Sequence, residues 1–299
     1  MCPASSVVAH ITLAEGLSET EINHLVSLDD EVLAEVYEHW IMPTRIFPPL
    51  LVTRLLSDLE DFLACRGDGS GVQLVGWMHR QFWEAAEVWV FPPTDKDRDA
   101  PAMYAGGSSA GRLKHFVNSC LIPRRYEHRA LAEYFCGMWA GRPKPYSDAL
   151  KGKCAGEACA DRKVPQQPIL LDGRIFEDVS SANAMLKLNT RRLSRLVHHL
   201  IESSQQDPVV RELTSPEYIA AKFAMRDGAV LMREYSRAIK RFPGAADDLG
   251  KCMATVGSNL KYLQEQPQLF ALQMCCQLPD QHPLCVASKY VTNSQKTAP

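Results

Sequence analysis

"GDGSGVQLVGWMHRQFWEAAEVWV", residues 67–90, decides the fold. Gly67, Asp68, Gly69, Ser70 and Gly71 are turn formers in a row, and a hairpin is their simplest use. "VQLVGW" then reads as a strand, and "MHRQFWEAAEVWVF" as a helix. Three helices followed by a small hairpin give winged-helix organisation, a helix-turn-helix variant with a β wing. The stretch also holds Trp77, Trp83 and Trp89 and one histidine, His79. A core position, a metal ligand, a catalytic base and a ligand contact are all open to that histidine from the stretch alone.

Working upstream, "GLSETEINHLVSL" holds a capping box. Ser18 can accept from a first-turn amide while Glu21 reaches back. Leu17 and Ile22 form a hydrophobic staple, and Ile22, Leu25 and Val26 continue at helical spacing. "DDEVLAEVYEHW" is a second helix, with Asp29, Asp30 and Glu31 at its positive end. Pro43, Pro48 and Pro49 break it. "LLVTRLLSDLEDFLACR" predicts a third helix with Leu51, Leu55, Leu59 and Leu63 on one stripe.

Working downstream, residues 92–111 are polar and rich in Gly, Pro, Asp and Ser, as a linker would be. "RYEHRALAEYFCGMWAG" predicts a helix, and residues 142–168 a second irregular segment. Successive amphipathic helices follow in "SANAMLKLNTRRLSRLVHHLIES", "SPEYIAAKFAMRDGAVLMREYSRAIKRF", "GKCMATVGSNLKYLQEQ" and "PQLFALQMCCQL". The tail "TNSQKTAP" reads as disordered. There is no internal repeat and no low-complexity tract.

Bulk composition narrows the function class. The chain has 299 residues, 46% apolar and 23% charged, as in an ordinary soluble protein. A net charge of −2 gives no broad pull toward nucleic acid or anionic membrane. Two local basic clusters, "IPRRYEHR" and "NTRRLSRLVHH", read as solvated helix faces. No apolar run approaches the ~20 residues of a membrane helix; "VVAHITLA" is interrupted by His10 and Thr12. The N-terminus lacks the basic and apolar regions of a signal peptide. Ten cysteines, single or in odd pairs, suit buried thiols in a reducing cytoplasm.

Motifs for chemistry are sparse. "GGSSAGRLK" lacks the Gly-x-x-x-x-Gly-Lys-Ser/Thr order of a phosphate-binding loop and reads as a flexible loop. Cys154 and Cys159 would suit half of a zinc site, but no second pair stands at matching spacing, so no metal site is expected. Cys275, Cys276 and Cys285 lie among apolar residues as core thiols. A Cys–His or Ser–His nucleophile stays open, without a Gly-x-Ser-x-Gly elbow to support it. The third helix carries Asp58, Glu60 and Asp61, which would repel phosphate and disfavour DNA reading.

Six stretches carry a resemblance by their order: "LAEGLSETEINHLVSLDDEVLAEVYEHW", "RIFPPLLVTRLLSDLEDFL", "GWMHRQFWEAAEVWV", "RALAEYFCGMWAGRPKPY", "ADRKVPQQP" and "NTRRLSRLVHHLIES". The order resembles the region downstream of the ATPase core in NACHT proteins with WD repeats, of the STAND class of signalling ATPases. "VGSNLKYLQEQPQLFALQMCCQLPD" looks like the helical segment that precedes their propeller. The resemblance implies a winged helix that packs on the nucleotide site and a helical arm similar to that of the apoptosome ATPase. It also implies a histidine that reaches the ADP β-phosphate. "MHRQFWEAA" resembles that histidine's motif, with His79 in its place, although Trp83 and Glu84 shift the order that Gln81, Phe82, Ala85 and Ala86 follow. A helix start suits an imidazole that donates to phosphate.

The expected fold is mainly α: a winged-helix domain followed by an all-α helical arm, with a small β hairpin. The expected divisions are a winged helix over 1–91, a linker over 92–111, connecting helices over 112–141, an irregular linker over 142–168, a helical domain over 169–290 and a tail over 291–299. With no P-loop, no magnesium-binding acidic strand and no WD repeats, the chain begins where the ATPase core would end and stops where a propeller would start. The expectation is a non-catalytic, cytoplasmic regulatory or scaffolding segment. It needs no cofactor of its own, because ADP or ATP belongs to a full-length relative. Its partners would be proteins, or an adjacent NACHT ATPase core and WD-repeat propeller, and not membrane. A winged-helix nucleic-acid-binding protein is the alternative.

Overall fold

The computed structural model describes residues 3–40, 46–68, 71–91, 123–151, 162, 164–170, 188–266, 269–282 and 284–289. The loop "GGSSAGRLK", the linker over 92–111, Cys154, Cys159 and the tail lie outside the described residues. The chain divides into two compact units, Met1–Gln166 and Gln167–Pro299. Both are mainly helical. No described helix is long and apolar enough to cross a membrane.

The first unit is built around α1 (Pro3–Ala14), in which every residue from Ser5 to Ala14 is buried. A helix buried on all sides must satisfy its polar side chains internally. Ser6 Oγ donates to Asp29 Oδ2 at 3.1 Å, and Thr12 Oγ1 donates to the Val8 carbonyl at 2.6 Å. Glu15 and Gly16, at φ 52° and 120°, end the helix in the left-handed region. A side chain at Gly16 would be strained by that φ, and its Cβ would also touch Leu74 and Val75.

Leu17 then bridges to Val75 through two backbone hydrogen bonds of 3.0 and 2.8 Å. The capping box read from the sequence is present at α2 (Glu19–Leu28): Glu21 N donates to Ser18 Oγ, and Ser18 N to Glu21 Oε2. Asp29 both ends α2 and caps α3 (Asp30–His39), accepting from Glu31 N and Val32 N. After Pro48 comes α4 (Pro49–Asp58).

The third helix is shorter than its sequence predicts. It stops at Asp58, passes through a 3-10 turn at Glu60–Phe62, and becomes strand β1 (Leu63–Gly67). Strand β1 pairs antiparallel with β2 (Gln73–Trp77), Leu63 opposite Trp77 and Cys65 opposite Val75. The leucine stripe is not a buried face; Val52 is the buried residue of α4. The strand wins because β2 needs an edge partner and the local sequence is half-exposed either way.

Strand β2 leads through His79 into α5 (Arg80–Val90), which packs on α1. Further on, α6 (Arg124–Phe135) packs on α1 and α2, and the short α7 (Asp148–Lys151) on α3.

In the second unit Leu170 bridges to Leu188, and Asn189 caps α8 (Thr190–Glu202) by accepting from Arg192 N. There follow α9 (Gln206–Leu213), α10 (Pro216–Ala224), α11 (Gly228–Arg241), α12 (Ala246–Ser258), α13 (Leu260–Glu265) and α14 (Phe270–Gln277). The stretch over 215–242, read as one helix, is two. Arg226 adopts φ 60°, and Asp227 N returns to the Lys222 carbonyl, closing α10 before Gly228 opens α11. The stretch over 250–266 likewise breaks at Asn259.

Candidate functional site

The candidate is the junction between β2 and α5. Two indoles fix α5 to the core. Trp77 Nε1–H donates to Thr12 Oγ1, and Trp83 Nε1–H to the Thr12 carbonyl, both at 3.0 Å. Met78 N donates to the Phe62 carbonyl at 2.9 Å, tying the start of the helix to the end of the 3-10 turn. Between these anchors stands His79, as the N-cap of α5.

His79 is exposed, in extended backbone at φ −132°, and its side chain does not cap the helix. Its carbonyl accepts from Phe82 N and Trp83 N, while its ring sits 6.1 Å from that of Phe82. The first turn of α5 holds no acidic residue. The positive end of the helix and the imidazole are thus presented together and without a competing carboxylate in that turn. Chemically the pair can donate to an anionic oxygen.

The basic cluster on α8 is not simply a solvated face, whereas Arg124, Arg125 and Arg129 of the other cluster are exposed as expected. On α8, Arg191 is buried, and Arg192 is held by Glu212 Oε1 at 2.7 Å and the Gln167 carbonyl at 2.6 Å. In the other cluster His128 is buried, Arg124 pairs with Glu87, and Arg129 pairs with Glu133. Carboxylates on neighbouring helices for Arg192 and Arg124, and on the same helix for Arg129, compete with phosphate for these charges. The exposed Asp58, Glu60 and Asp61 add repulsion, so nucleic-acid binding is not favoured.

One cysteine does meet a histidine. Cys252 Sγ lies 3.9 Å from His282 Nε2. Leu284 N donates to His282 Nδ1, so the neutral ring carries its proton on Nε2, facing the sulfur. A ring that donates to the thiol cannot remove its proton. Burial, with Asp248 nearby, pushes the Cys252 thiol up to about 12. This pair is not an activated nucleophile.

The sequence reading missed a buried polar cluster around α1 and α2. His10 Nε2 lies 2.7 Å from Glu127 Oε2, each side chain 1% exposed. Burial pulls the His10 pKa down, but the charge of Glu127, with Asp29 behind it, outweighs burial and raises it above 6.5. Arg162, fully buried, donates to the Ser27 and Leu28 carbonyls, pairs with Asp30 and stacks over Tyr146. Lys144 Nζ also donates to the Leu28 carbonyl. Two cations thus sit on the negative end of α2. The one signal was His10 inside an apolar run.

No family model and no solved structure matches the chain. Curated relatives do. NACHT domain- and WD repeat-containing protein 1 of Homo sapiens is 31% identical over 216 residues, 69% of this chain and 11% of that protein. Its Mus musculus counterpart is 30% identical over 202 residues, 66% of this chain and 10% of that protein. NACHT and WD repeat domain-containing protein 2 of Homo sapiens is 25% identical over 227 residues, 69% of this chain and 11% of that protein. The chain is similar to these proteins over about two thirds of its length and spans about a tenth of theirs.

Proposed function

We propose that the chain is a regulatory, non-catalytic segment of a NACHT and WD-repeat type STAND protein, acting by domain packing in cytoplasmic signalling. In this reading residues 1–91 are a winged helix and 169–290 a helical arm. The order of elements supports the first: a helix, the Leu17 bridge, further helices, then a hairpin whose second strand takes that bridge. A winged helix pairs a short first strand with the last strand of its wing, and the isolated Leu17–Val75 bridge supports that reading, with one more helix before the wing.

The observation that carries the reading is His79 itself. It is exposed at the start of α5, on a frame fixed by Trp77 and Trp83, and free to meet an anion on another domain. An adjacent NACHT ATPase core would bring the ADP β-phosphate to it, and a WD-repeat propeller would follow the helical arm. The isolated chain should neither hydrolyse ATP nor hold ADP tightly.

Titration calorimetry with ADP tests this in two arms. The isolated chain should give no heat of binding at micromolar ADP, and micromolar affinity abolished by His79→Ala would contradict the reading. In a longer protein that joins this segment to an ATPase core, His79→Ala should speed ADP release. Unchanged release there would remove the nucleotide-sensing role.

A further inference from the structure

Beside α5 lies an open apolar cleft of about 260 Å³. Leu59 and Phe62 line it from the 3-10 turn, Trp77 from β2, and Phe82 and Trp89 from α5. Phe62 and Trp89 are 42% and 41% exposed, large apolar side chains left facing solvent. Phe62 meets Phe82 edge-on at 5.2 Å, which holds one wall in shape. The one polar atom of Trp77 is already committed to Thr12. The cleft therefore offers apolar contact and no spare hydrogen bond from its central indole.

Acidic residues adjoin two of the lining residues along the chain. Asp58, Glu60 and Asp61 flank Leu59 and Phe62, all three exposed and without an ion pair among the described residues. Arg54, one turn before Asp58 on α4, makes no ion pair either. On α5, Glu84 and Glu87 flank Ala85 and Ala86, and each is balanced, by Arg80 and Arg124. The unbalanced charge is thus negative and gathered on the 3-10 side. An apolar cleft alone would accept any apolar group; the carboxylates select among them.

We propose that this cleft docks a basic amphipathic segment of a partner protein. One or two large apolar side chains fill the cleft, and Lys or Arg one helical turn away faces Asp58, Glu60 and Asp61. An acidic segment or an anionic membrane surface meets repulsion from the same carboxylates. The inference uses neither His79 nor a nucleotide and is independent of the reading above.

The test uses the full 299-residue chain. Fluorescence anisotropy would follow a labelled amphipathic Leu/Lys helical peptide, a Leu/Glu peptide of the same pattern, and a Lys-rich peptide without apolar periodicity. The Leu/Lys peptide should bind saturably, and the other two at least about tenfold more weakly. Phe62→Glu should weaken the Leu/Lys peptide by at least about tenfold, and Trp89→Ser gives the same reading from the opposite wall. The triple variant Asp58→Asn/Glu60→Gln/Asp61→Asn changes exposed side chains and should weaken binding and flatten its salt dependence. Absent binding, equal binding of all three peptides, or binding indifferent to both cleft variants would overturn the proposal.

Discussion

His10 on α1 and Glu127 on α6 meet at 2.7 Å with almost no exposure of either side chain. Asp29, Tyr126, Glu133 and Lys144 line the same small cavity. A helix from beyond residue 122 is held to the central helix of the unit by a charge pair. Because the folded pKa of His10 is raised above 6.5, its contribution is fully present below that value and is lost as pH rises through the folded pKa. Urea unfolding should therefore show a first-unit transition that weakens from pH 6 toward alkaline pH. His10→Gln should flatten that slope; an unchanged slope would reject the assignment.

Removing one member of such a pair is worse than removing both. Glu127→Gln leaves a buried imidazole without its counter-charge and should cost about 3–5 kcal/mol at pH 6. Replacing both with leucine removes the desolvation penalty with the attraction, and should fall within about 2 kcal/mol of the parent. Chemical denaturation of the single and double variants separates a stabilising pair from two independent polar residues.

Thr12 is a hub for both indoles of the site. Thr12→Val keeps the shape and the carbonyl that receives Trp83, but removes the acceptor of Trp77 Nε1. The expected cost is about 1–2 kcal/mol in denaturant unfolding. If the two tryptophans orient α5 independently, Trp83 emission should stay unchanged in that variant. A loss near zero would mean that water replaces the hydroxyl.

Arg162 closes the far end of α2. It lies in the "ADRKVPQQP" stretch and donates to two terminal carbonyls while pairing with Asp30 at 2.5 Å. Arg162→Met should destabilise the first unit by about 3–5 kcal/mol. Arg162→Lys should not restore it, since an ammonium cannot make the planar fork to carbonyls and carboxylate at once. Differential scanning calorimetry of the two variants decides the point: a full rescue by lysine would reduce Arg162 to a point charge.

What the sequence shows of this fold is mostly local. The Ser18–Glu21 capping box and β2 depend on neighbours in the chain, and both are found as read. The break at Arg226 was also local, announced by Asp227-Gly228, but the apolar periodicity on both sides masks it. Strand β1 is different: its residues fit a helix until β2 claims them. The His10 and Arg162 partners are distant in the chain, and no periodicity encodes such pairs. His79 is legible as a residue and not as a site, because in the function proposed above the phosphate would come from outside this segment.

The second unit contains its own buried pair, and it offers the cleanest separation of charge from packing. Lys222 Nζ donates to Glu234 Oε1 at 2.7 Å, and Tyr218 Oη donates to Glu234 Oε2 at 3.0 Å. Burial raises the Glu234 pKa, and the lysine charge opposes that shift. Lys222→Met leaves the carboxyl group buried with the tyrosine alone, so its pKa should climb further and the group should take up a proton on folding. Two readouts follow. Unfolding at pH 7 should lose about 3–5 kcal/mol. That loss should shrink on acidification, because the unfolded state then binds the same proton and the linkage cost disappears. Adding Glu234→Gln to Lys222→Met removes the titrating group, and the pH dependence should vanish with it. A loss that stays constant between pH 7 and pH 4 would show that Lys222 serves through its packed stem and not through its charge.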